Sequence, residues 1–304
     1  MIRTIIEDKI TWYDITKTDA GDLEFLKSKF DFHPVILDEL LHPSARSRVE
    51  TYDHYLFLVY HLPIYNALEK TARQTEIDFL LTKNVLITVH YEKIEPLALF
   101  EKTLKNNIHL YDRILKNTTG HLLYYLLEET VDFSLRQLKH MEEKTKEVGS
   151  ELFSGKERHL LEKVSYLKRD MLDFRIIVRS QRGLLESLII AAQFFWGERL
   201  KIYFSDLLGD YLKITHLIEN LKETVESFET TNAQLLNAKS NLIMQRFTVL
   251  AFLTFPLMLL VALFDIDAVS RPIIGNPYDF WIIFGSVVFI ILIMIGYFKK
   301  KDWL

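Results

Sequence analysis

The stretch FTVLAFLTFPLMLLVALF, Phe247 to Phe264, contains 18 residues without a charge. A second uncharged stretch, FWIIFGSVVFIILIMIGYF, covers 19 residues from Phe280 to Phe298. A helix needs about 20 apolar residues, and no fewer than about 17, to cross the hydrocarbon core of a bilayer. Both stretches meet this requirement, and Pro256 within the first is tolerated in membrane helices. The sequence therefore predicts two transmembrane helices joined by a short loop.

Basic residues beside the two spans predict their orientation, because such residues stay on the cytoplasmic side. Lys239 and Arg246 precede the first span. Three consecutive lysines follow the second: Lys299, Lys300 and Lys301. The loop between the spans is acidic, with three carboxylates and one arginine: Asp265, Asp267, Asp279 and Arg271. We therefore expect a multi-pass protein of the cell (inner) membrane with both termini cytoplasmic, and MIRTIIEDKITWYD at the start lacks the apolar segment of a signal peptide.

The residues ahead of the spans have the composition of a water-soluble protein. The chain has 304 residues, a formal net charge of −4 and no cysteine, which excludes disulfides and cysteine metal sites. The motifs GxGxxG, GxxxxGK[ST], HExxH and GxSxG do not occur. The ten histidines are scattered without metal-ligand spacing. We therefore expect neither an enzyme nor a nucleic-acid partner.

The first 95 residues contain short β-rich runs separated by turns. They predict strands at 2–6, 10–15, 54–62, 75–81 and 85–90, and helices at 23–30 and 34–41. Lys83 and Asn84 are a plausible hairpin turn between the last two strands. An α/β domain with a partly antiparallel sheet fits this pattern.

From about residue 96 onward, apolar residues recur at helical spacing and no proline occurs before Pro256. Three helices are predicted, at 97–153, which a break near Asn117 could divide, at 157–191 and at 198–264. The third has no stop signal before the membrane, so it continues into the first span. At some 65 residues it would be about 100 Å long. One monomer cannot bury such a helix, and a symmetric bundle of copies is the natural solution.

One face of this third helix is unusual for a lipid-facing surface, because it is polar at both ends and moderately apolar between them. Steps of three and four residues place its members together: Asn241, Met244, Thr248, Ala251, Phe255, Met258, Ala262 and Asp265. Charged residues in or near a span usually face a water path or a partner. The alternative is that Asp265 and Asp267 simply lie in the aqueous interface. We refer to the eight residues as the pore stripe.

Several short motifs carry a resemblance to a known family. Near the C-terminus they are Asn241, Phe247-Thr248-Val249, Phe255-Pro256-Leu257, Asn276-Pro277 ahead of Phe280-Trp281, and the tail Tyr297-Phe298-Lys299-Lys300-Lys301-Asp302-Trp303-Leu304. Upstream they are Trp12, His33-Pro34, Asp38-Glu39, Arg46-x-Arg48-x-Glu50, Tyr55-Leu56-Phe57, Thr88-Val89 and Tyr203-Phe204-x-Asp206. Together with the two C-terminal spans, these motifs make the whole chain resemble the CorA superfamily of divalent-cation channels and transporters.

The resemblance implies a funnel-shaped homopentamer, in which α/β cytoplasmic domains continue through long stalk helices into pore-lining first spans, with an outer ring of second spans. The implied segments are an N-terminal α/β domain (1–95), a helical region beside the stalk (96–196), the stalk helix (197–246), the first transmembrane helix (247–264), the external loop (265–279), the second transmembrane helix (280–298) and a basic tail (299–304). The implied partners are the other copies of the chain, membrane lipid and divalent metal ions. Mg²⁺ or another divalent cation is then the cargo and a candidate regulator.

The triplet after the first span departs from the family pattern. The family has Gly-Met-Asn, or Gly-Ile-Asn in its zinc-transporting branch, directly after an aromatic residue. Counted without gaps from Pro256, the aromatic is Phe264 and the triplet is Asp265-Ile266-Asp267. The other candidate, Ile274-Gly275-Asn276, lies ten residues later and is better explained as a turn before the second span. We expect Asp265 and Asp267 to bind divalent cations more tightly and less selectively than a neutral triplet.

The resemblance also implies cytoplasmic Mg²⁺ sensing by carboxylates between subunits. The matching positions are Asp38 or Glu39 in the N-terminal domain and Asp206 at the start of the stalk, with Asp210 one residue out of register. A bound cation there would cancel repulsion and hold a closed state. The resemblance further implies a basic collar formed by Lys299–Lys301.

Three functions remain open from the sequence. The first is a channel or facilitator for Mg²⁺ or a related ion, such as Co²⁺, Ni²⁺ or Zn²⁺. The second is a Zn²⁺ transporter of the zinc branch. The third is a pentameric membrane scaffold or regulator that does not conduct ions, or conducts them only weakly.

Overall fold

The computed structural model describes residues 2–66, 71–115, 117–266, 273–275 and 277–301, with the side chain of residue 115 left aside. Its contacts divide the chain into two units, Met1–Glu229 and Thr230–Leu304. The first unit holds a mixed sheet and most of the helices. The second holds the end of one long helix and the whole of the last helix.

Alternating apolar side chains in the first 90 residues form a six-stranded sheet of order β1-β2-β6-β5-β4-β3 in the described part of the chain. The pair β2–β6 is parallel, and every other neighbouring pair is antiparallel. The strands are β1 (Ile2–Glu7), β2 (Thr11–Thr16), β3 (Arg48–Thr51), β4 (Leu56–Asn66), β5 (Thr71–Leu81) and β6 (Val85–His90).

Helices cover both faces of this sheet, because successive strand side chains point to opposite faces. Phe57, Val59 and Val89 pack on one face with residues of α1 (Ala20–Lys29) and α2 (Pro34–Glu39). Trp12 and Phe79 pack on the other face with residues of the first five helices that follow the sheet in the chain. Those helices are α3 (Glu95–Asn106), α4 (Ile108–Leu115), α5 (Thr119–Glu151), α6 (Glu157–Trp196) and α7 (Glu198–Asp265).

The five expected strands and two expected N-terminal helices are confirmed, with ends shifted by a few residues. The sequence reasoning missed β3, whose residues read Arg-Val-Glu-Thr. This is a short edge strand with charged side chains, a composition that protects edges from pairing with other chains. Arg48 Nε donates to Glu50 Oε1 at 2.6 Å, as expected for two residues on the same face.

The region expected to form a helix over 97–153, with a possible break near Asn117, forms three helices, α3, α4 and α5, because the chain also breaks at Asn107. Asn107 ends α3, and its Oδ1 accepts from the N–H of Leu110 at 3.1 Å, which caps the first turn of α4. The break expected near Asn117 is confirmed, since Thr118 forms a capping box with His121 at the start of α5. Gly197 separates α6 from α7 with φ of +97°, a conformation that favours glycine.

The second unit matches the expected pair of spans. Helix α7 continues through Pro256 to Asp265, and α8 spans Asp279–Lys300. Both helices are long and apolar enough to cross a membrane by length and composition. The expected fold class, an α/β domain with a long helix and two C-terminal apolar helices, is confirmed.

A buried carboxylic acid makes the first unit sensitive to pH. Asp170 on α6 is 2 % exposed, and its Oδ1 has no hydrogen-bond partner among the described residues. Burial raises the pKa of Asp170 to about 6, although a hydrogen bond from the backbone of Ala72 opposes the shift. A carboxyl group whose pKa rises on folding stabilises the fold below its unfolded pKa and loses that contribution as pH rises through the folded value.

We therefore predict that Asp170→Asn raises the free energy of unfolding at pH 7 by about 1–3 kcal/mol. The advantage should shrink as pH falls through about 6 and be small near pH 4, where the wild-type acid is protonated in the folded state. Thermal unfolding between pH 4 and pH 8 measures this. Glu162→Gln, an exposed acid on the same helix, serves as the matched control. Parallel pH profiles for Asp170→Asn and wild type would contradict the prediction.

Candidate ion pathway and acidic cation sites

The pore stripe lies on a broad, mostly exposed part of α7 in the single chain, where apolar residues outside the stripe, such as Phe252 and Leu259, are similarly exposed. Phe255 and Met258 are 67 % and 68 % exposed, and Met244 is similarly exposed. Asn241, Ala262 and Asp265 are exposed as well, whereas Thr248 and Ala251 are half-buried. Large apolar side chains are rarely left so exposed in one contiguous region unless another surface covers them.

A second series on the same helix segment is covered instead. Val249 is buried, and half-buried residues continue this face at steps of three and four: Leu253, Leu257, Leu260 and Phe264. With about 100° between successive helical residues, this series and the pore stripe point in directions roughly 180° apart. In the described residues of this unit, α8 is the other element besides the end of α7.

The stripe carries few polar groups. Thr248 Oγ1 donates to the carbonyl of Met244 at 2.9 Å, so its hydroxyl proton is held by the helix and its lone pairs remain available as acceptors. The amide of Asn241 is exposed. Met244 lies between these two polar positions, and Phe255 and Met258 lie between Thr248 and the end of the helix.

The expected outer mouth is described in part. Asp265 is the last residue of α7 and is exposed. Asp267 lies outside the described residues. Gly275 has φ of +102°, and its N–H donates to Asp279 Oδ2 at 3.2 Å. Gly275 therefore belongs to the turn before α8, as the sequence indicated.

The three lysines expected to form the basic collar lie at the C-terminal end of α8. Lys299 and Lys300 are its last two residues, and Lys301 caps it through backbone hydrogen bonds. All three side chains are exposed. Cations at a helix C-terminus interact favourably with the helix dipole, so this end of α8 tolerates the charge.

The structure separates the two acids expected on α2. Asp38 is exposed. Glu39 is half-buried and forms an ion pair with Arg48, while Ser44 Oγ donates to it at 3.0 Å. Glu39 is therefore already occupied within the chain, and Asp38 is the more available ligand of the two.

The acids expected on α7 have neighbours that sequence reasoning missed. Asp206 is exposed, and Asp210 forms an ion pair with Lys213 at 2.6 Å. Glu128 and Asp132, one turn apart on α5, lie close enough to interact with them. We call Glu128, Asp132, Asp206 and Asp210 the α5–α7 acidic group.

Glu128 is repelled by the other carboxylates of this group. Burial and the carboxylates of Asp132, Asp206 and Asp210 raise the pKa of Glu128. The hydroxyl of Tyr124 donates to Glu128 at 2.8 Å and opposes that shift. A cation that lies close to several carboxylates stabilises their charged forms. Nevertheless, no three His, Asp or Glu side chains among the described residues of one chain are arranged to hold a metal ion.

The sequence model of the family described as "CorA-like Mg2+ transporter protein" matches residues 7–300. A putative metal ion transporter from Bacillus subtilis, YfjQ, is 22 % identical over 305 residues, which is 99 % of this chain and 93 % of the relative. A cobalt/magnesium transport protein from Thermotoga maritima, CorA, is 23 % identical over 295 residues, which is 97 % of this chain and 83 % of the relative.

A solved structure supports the same fold. The complete structure of the CorA magnesium transporter from Methanocaldococcus jannaschii superposes with a TM-score of 0.86 at 23 % identity, covering 98 % of this chain and 93 % of that one. The family match extends over nearly the whole sequence, including both apolar helices. The chain therefore belongs to the CorA-like Mg²⁺ transporter family.

Proposed function

We propose that this CorA-like metal ion transporter conducts Mg²⁺ or a related divalent cation through a pore on the axis of a homopentamer. One observation carries the proposal: most residues of the pore stripe are exposed in one chain, on the side of α7 opposite its buried and half-buried series. Five copies that bring their stripes together would bury this surface and line a pore. The α8 helices would then lie outside, against lipid.

The chemistry of the stripe suits a hydrated ion. Mg²⁺ gives up its water molecules reluctantly, so a pathway for it needs groups that contact the hydration shell. Asn241 and Thr248 supply oxygen atoms for this at the cytoplasmic side. Rings of Met244, Phe255 and Met258 would form apolar constrictions, which can close a channel by excluding water.

The outer mouth is the second part of the proposal. Two aspartates from each copy, Asp265 and Asp267, would form rings of carboxylates at the entrance. Rings of Asp or Glu select for cations in channels and raise their local concentration. Such a mouth favours divalent ions over monovalent ones but discriminates weakly among the divalent ions. Lys299–Lys301 would form the basic collar at the opposite side.

We predict that Asp265→Asn combined with Asp267→Asn lowers divalent-cation flux into proteoliposomes about tenfold, because the mouth no longer concentrates the ion. Flux of Mg²⁺, Co²⁺, Ni²⁺ and Zn²⁺ is measured for each variant. Asp279→Asn is the matched control, since it neutralises an acid at the start of α8 that contacts Gly275 instead. Unchanged flux and unchanged selectivity in the double variant would contradict the proposed mouth.

The same assay separates the other functions. Zn²⁺ flux that exceeds Mg²⁺ flux and depends on a pH gradient would identify a Zn²⁺ transporter. Absence of flux for all four ions, in a protein that is pentameric by mass measurement, would identify a scaffold.

We also propose that divalent cations regulate the transporter at its cytoplasmic acids. The α5–α7 acidic group supplies repelling carboxylates within one chain, and exposed Asp38 of a neighbouring copy would add a further ligand. A cation there would relieve the repulsion and favour the closed state. Its loss would separate the subunits and open the pore.

We predict that Mg²⁺ raises the unfolding temperature of the wild-type protein, since a ligand at about 100 times its dissociation constant adds about 2.7 kcal/mol of stability. Asp206→Asn combined with Asp210→Asn should remove most of this increase. Glu223→Gln, an exposed acid further along α7, should retain it. Thermal unfolding over a Mg²⁺ titration provides the measurement, and an equal increase in all three proteins would exclude the α5–α7 acidic group as the site.

A further inference from the structure

A cleft of about 620 Å³ lies in the first unit, where the turns before β2 and β6 meet the start of α5 and the junction between α6 and α7. Strands β2 and β6 are parallel neighbours, so the turns that precede them lie at the same end of the sheet. The N–H of Thr11 donates to the carbonyl of Asn84 at 2.8 Å and holds these turns together. Lys9 extends from the first turn and Lys83 from the second.

One hydrogen bond attaches α5 to this end of the sheet, and further contacts join α5 to α6 and α7. Thr119 Oγ1 donates to the carbonyl of Thr82 at 2.7 Å, and Trp196 Nε1 donates to Thr119 Oγ1 at 3.1 Å. A Cβ on Gly120 would lie 2.6 Å from Leu200 Cδ1 and 2.8 Å from Trp196 Cδ2, so a larger residue at position 120 would displace these side chains. Close packing between α5 and the α6–α7 junction therefore forms one side of the cleft.

The charge of the cleft is opposite to that of the chain. The protein carries a net charge of −4, yet the cleft is lined by Lys9, Lys83 and Arg199 and by no aspartate or glutamate. None of the three cationic side chains forms an ion pair within the described residues, whereas many other exposed lysines and arginines do. Unpaired cations converging on one concave surface favour an anionic ligand.

The other wall of the cleft is aromatic. It includes Trp196 and Tyr203. The ring of Tyr203 packs edge-on against the ring of His121, with 5.1 Å between the two centroids. Burial lowers the pKa of His121. Its Nδ1 accepts from the N–H of Thr118 at 3.5 Å, which holds the ring beside the start of α5.

We propose that this basic–aromatic cleft binds a nucleoside polyphosphate. The phosphates accept hydrogen bonds from Lys9, Lys83 and Arg199, and the planar base lies against the aromatic wall. The volume is within the range of about 300–1,000 Å³ that small-molecule sites occupy and far exceeds what a free phosphate would need. A long nucleic acid is disfavoured because the rest of this acidic chain would repel it.

The test is equilibrium binding of ATP to the full-length protein in detergent, with EDTA present so that divalent cations bound elsewhere contribute nothing. We expect saturable binding at one site per chain. Lys83→Gln combined with Arg199→Gln should weaken it at least about tenfold, because each change removes a charged hydrogen-bond donor. Lys102→Gln combined with Arg158→Gln removes two exposed charges outside the cleft and should leave the affinity unchanged.

Two further ligands and one variant separate the parts of the site. Adenosine and inorganic triphosphate should each bind more weakly than ATP, because each occupies one wall. Tyr203→Ala should weaken ATP binding but not triphosphate binding. Absence of saturable ATP binding, equal losses in the two double variants, or adenosine binding as tightly as ATP would overturn the proposal.

Discussion

The exposed apolar surface of the second unit is the constraint on which the rest of the structure depends. Burying apolar surface contributes about 25 cal/mol per Å², and most side chains of α7 beyond residue 246 and of α8 are apolar and exposed in one chain. Lipid can cover part of this surface, but lipid has no use for a face that begins at Asn241 and ends at Asp265. In the proposed pore, other copies of the chain and water would cover that face.

The position of this face follows from how two helices pack. A single neighbouring helix can cover only one face of α7, and the buried and half-buried face is the one that contains Val249 and Phe264. The opposite side must meet something else. Because α7 is uninterrupted from Glu198 to Asp265, the acids near its start and the stripe near its end belong to one element. A cation that shifts the start of α7 therefore acts on the helix that lines the proposed pore.

Much of the fold could be predicted from the sequence, because the signals are local. Uncharged runs identify both apolar helices, and runs such as Val85–His90 identify buried strands. The two features that sequence reasoning missed, the strand β3 and the break at Asn107, are short and depend on contacts that form only in the folded chain. The edge strand β3 has the polar sequence Arg-Val-Glu-Thr, which does not show the apolar alternation of a strand. Its charged side chains pair with each other only once the strand has formed. Asn107 interrupts a pattern that periodicity alone reads as one helix, because its side chain competes as a cap.

The candidate sites were less predictable for a related reason. The pore stripe could be found because all of its members lie on one helix at regular spacing. The α5–α7 acidic group could not, since Glu128 and Asp206 meet only after α5 and α7 pack. The spacing of Tyr124, Glu128 and Asp132 at intervals of four was the available signal. The basic–aromatic cleft assembles residues from two turns and three helix ends, and no sequence pattern joins them.

The acids on α2 show how the interior of the first unit limits regulation. Beneath α2, His61 Nε2 lies 2.8 Å from Glu76, and the N–H of Ser44 donates to both oxygens of Glu76. Burial and the neighbouring Glu76 raise the pKa of Asp78 well above its usual value, so this group avoids holding two adjacent carboxylates in their charged forms. Ser44 also contacts Glu39, which ties the loop after α2 to this buried group. Since α2 is fixed in this way, a cation at Asp38 would act by drawing a neighbouring chain toward a rigid surface.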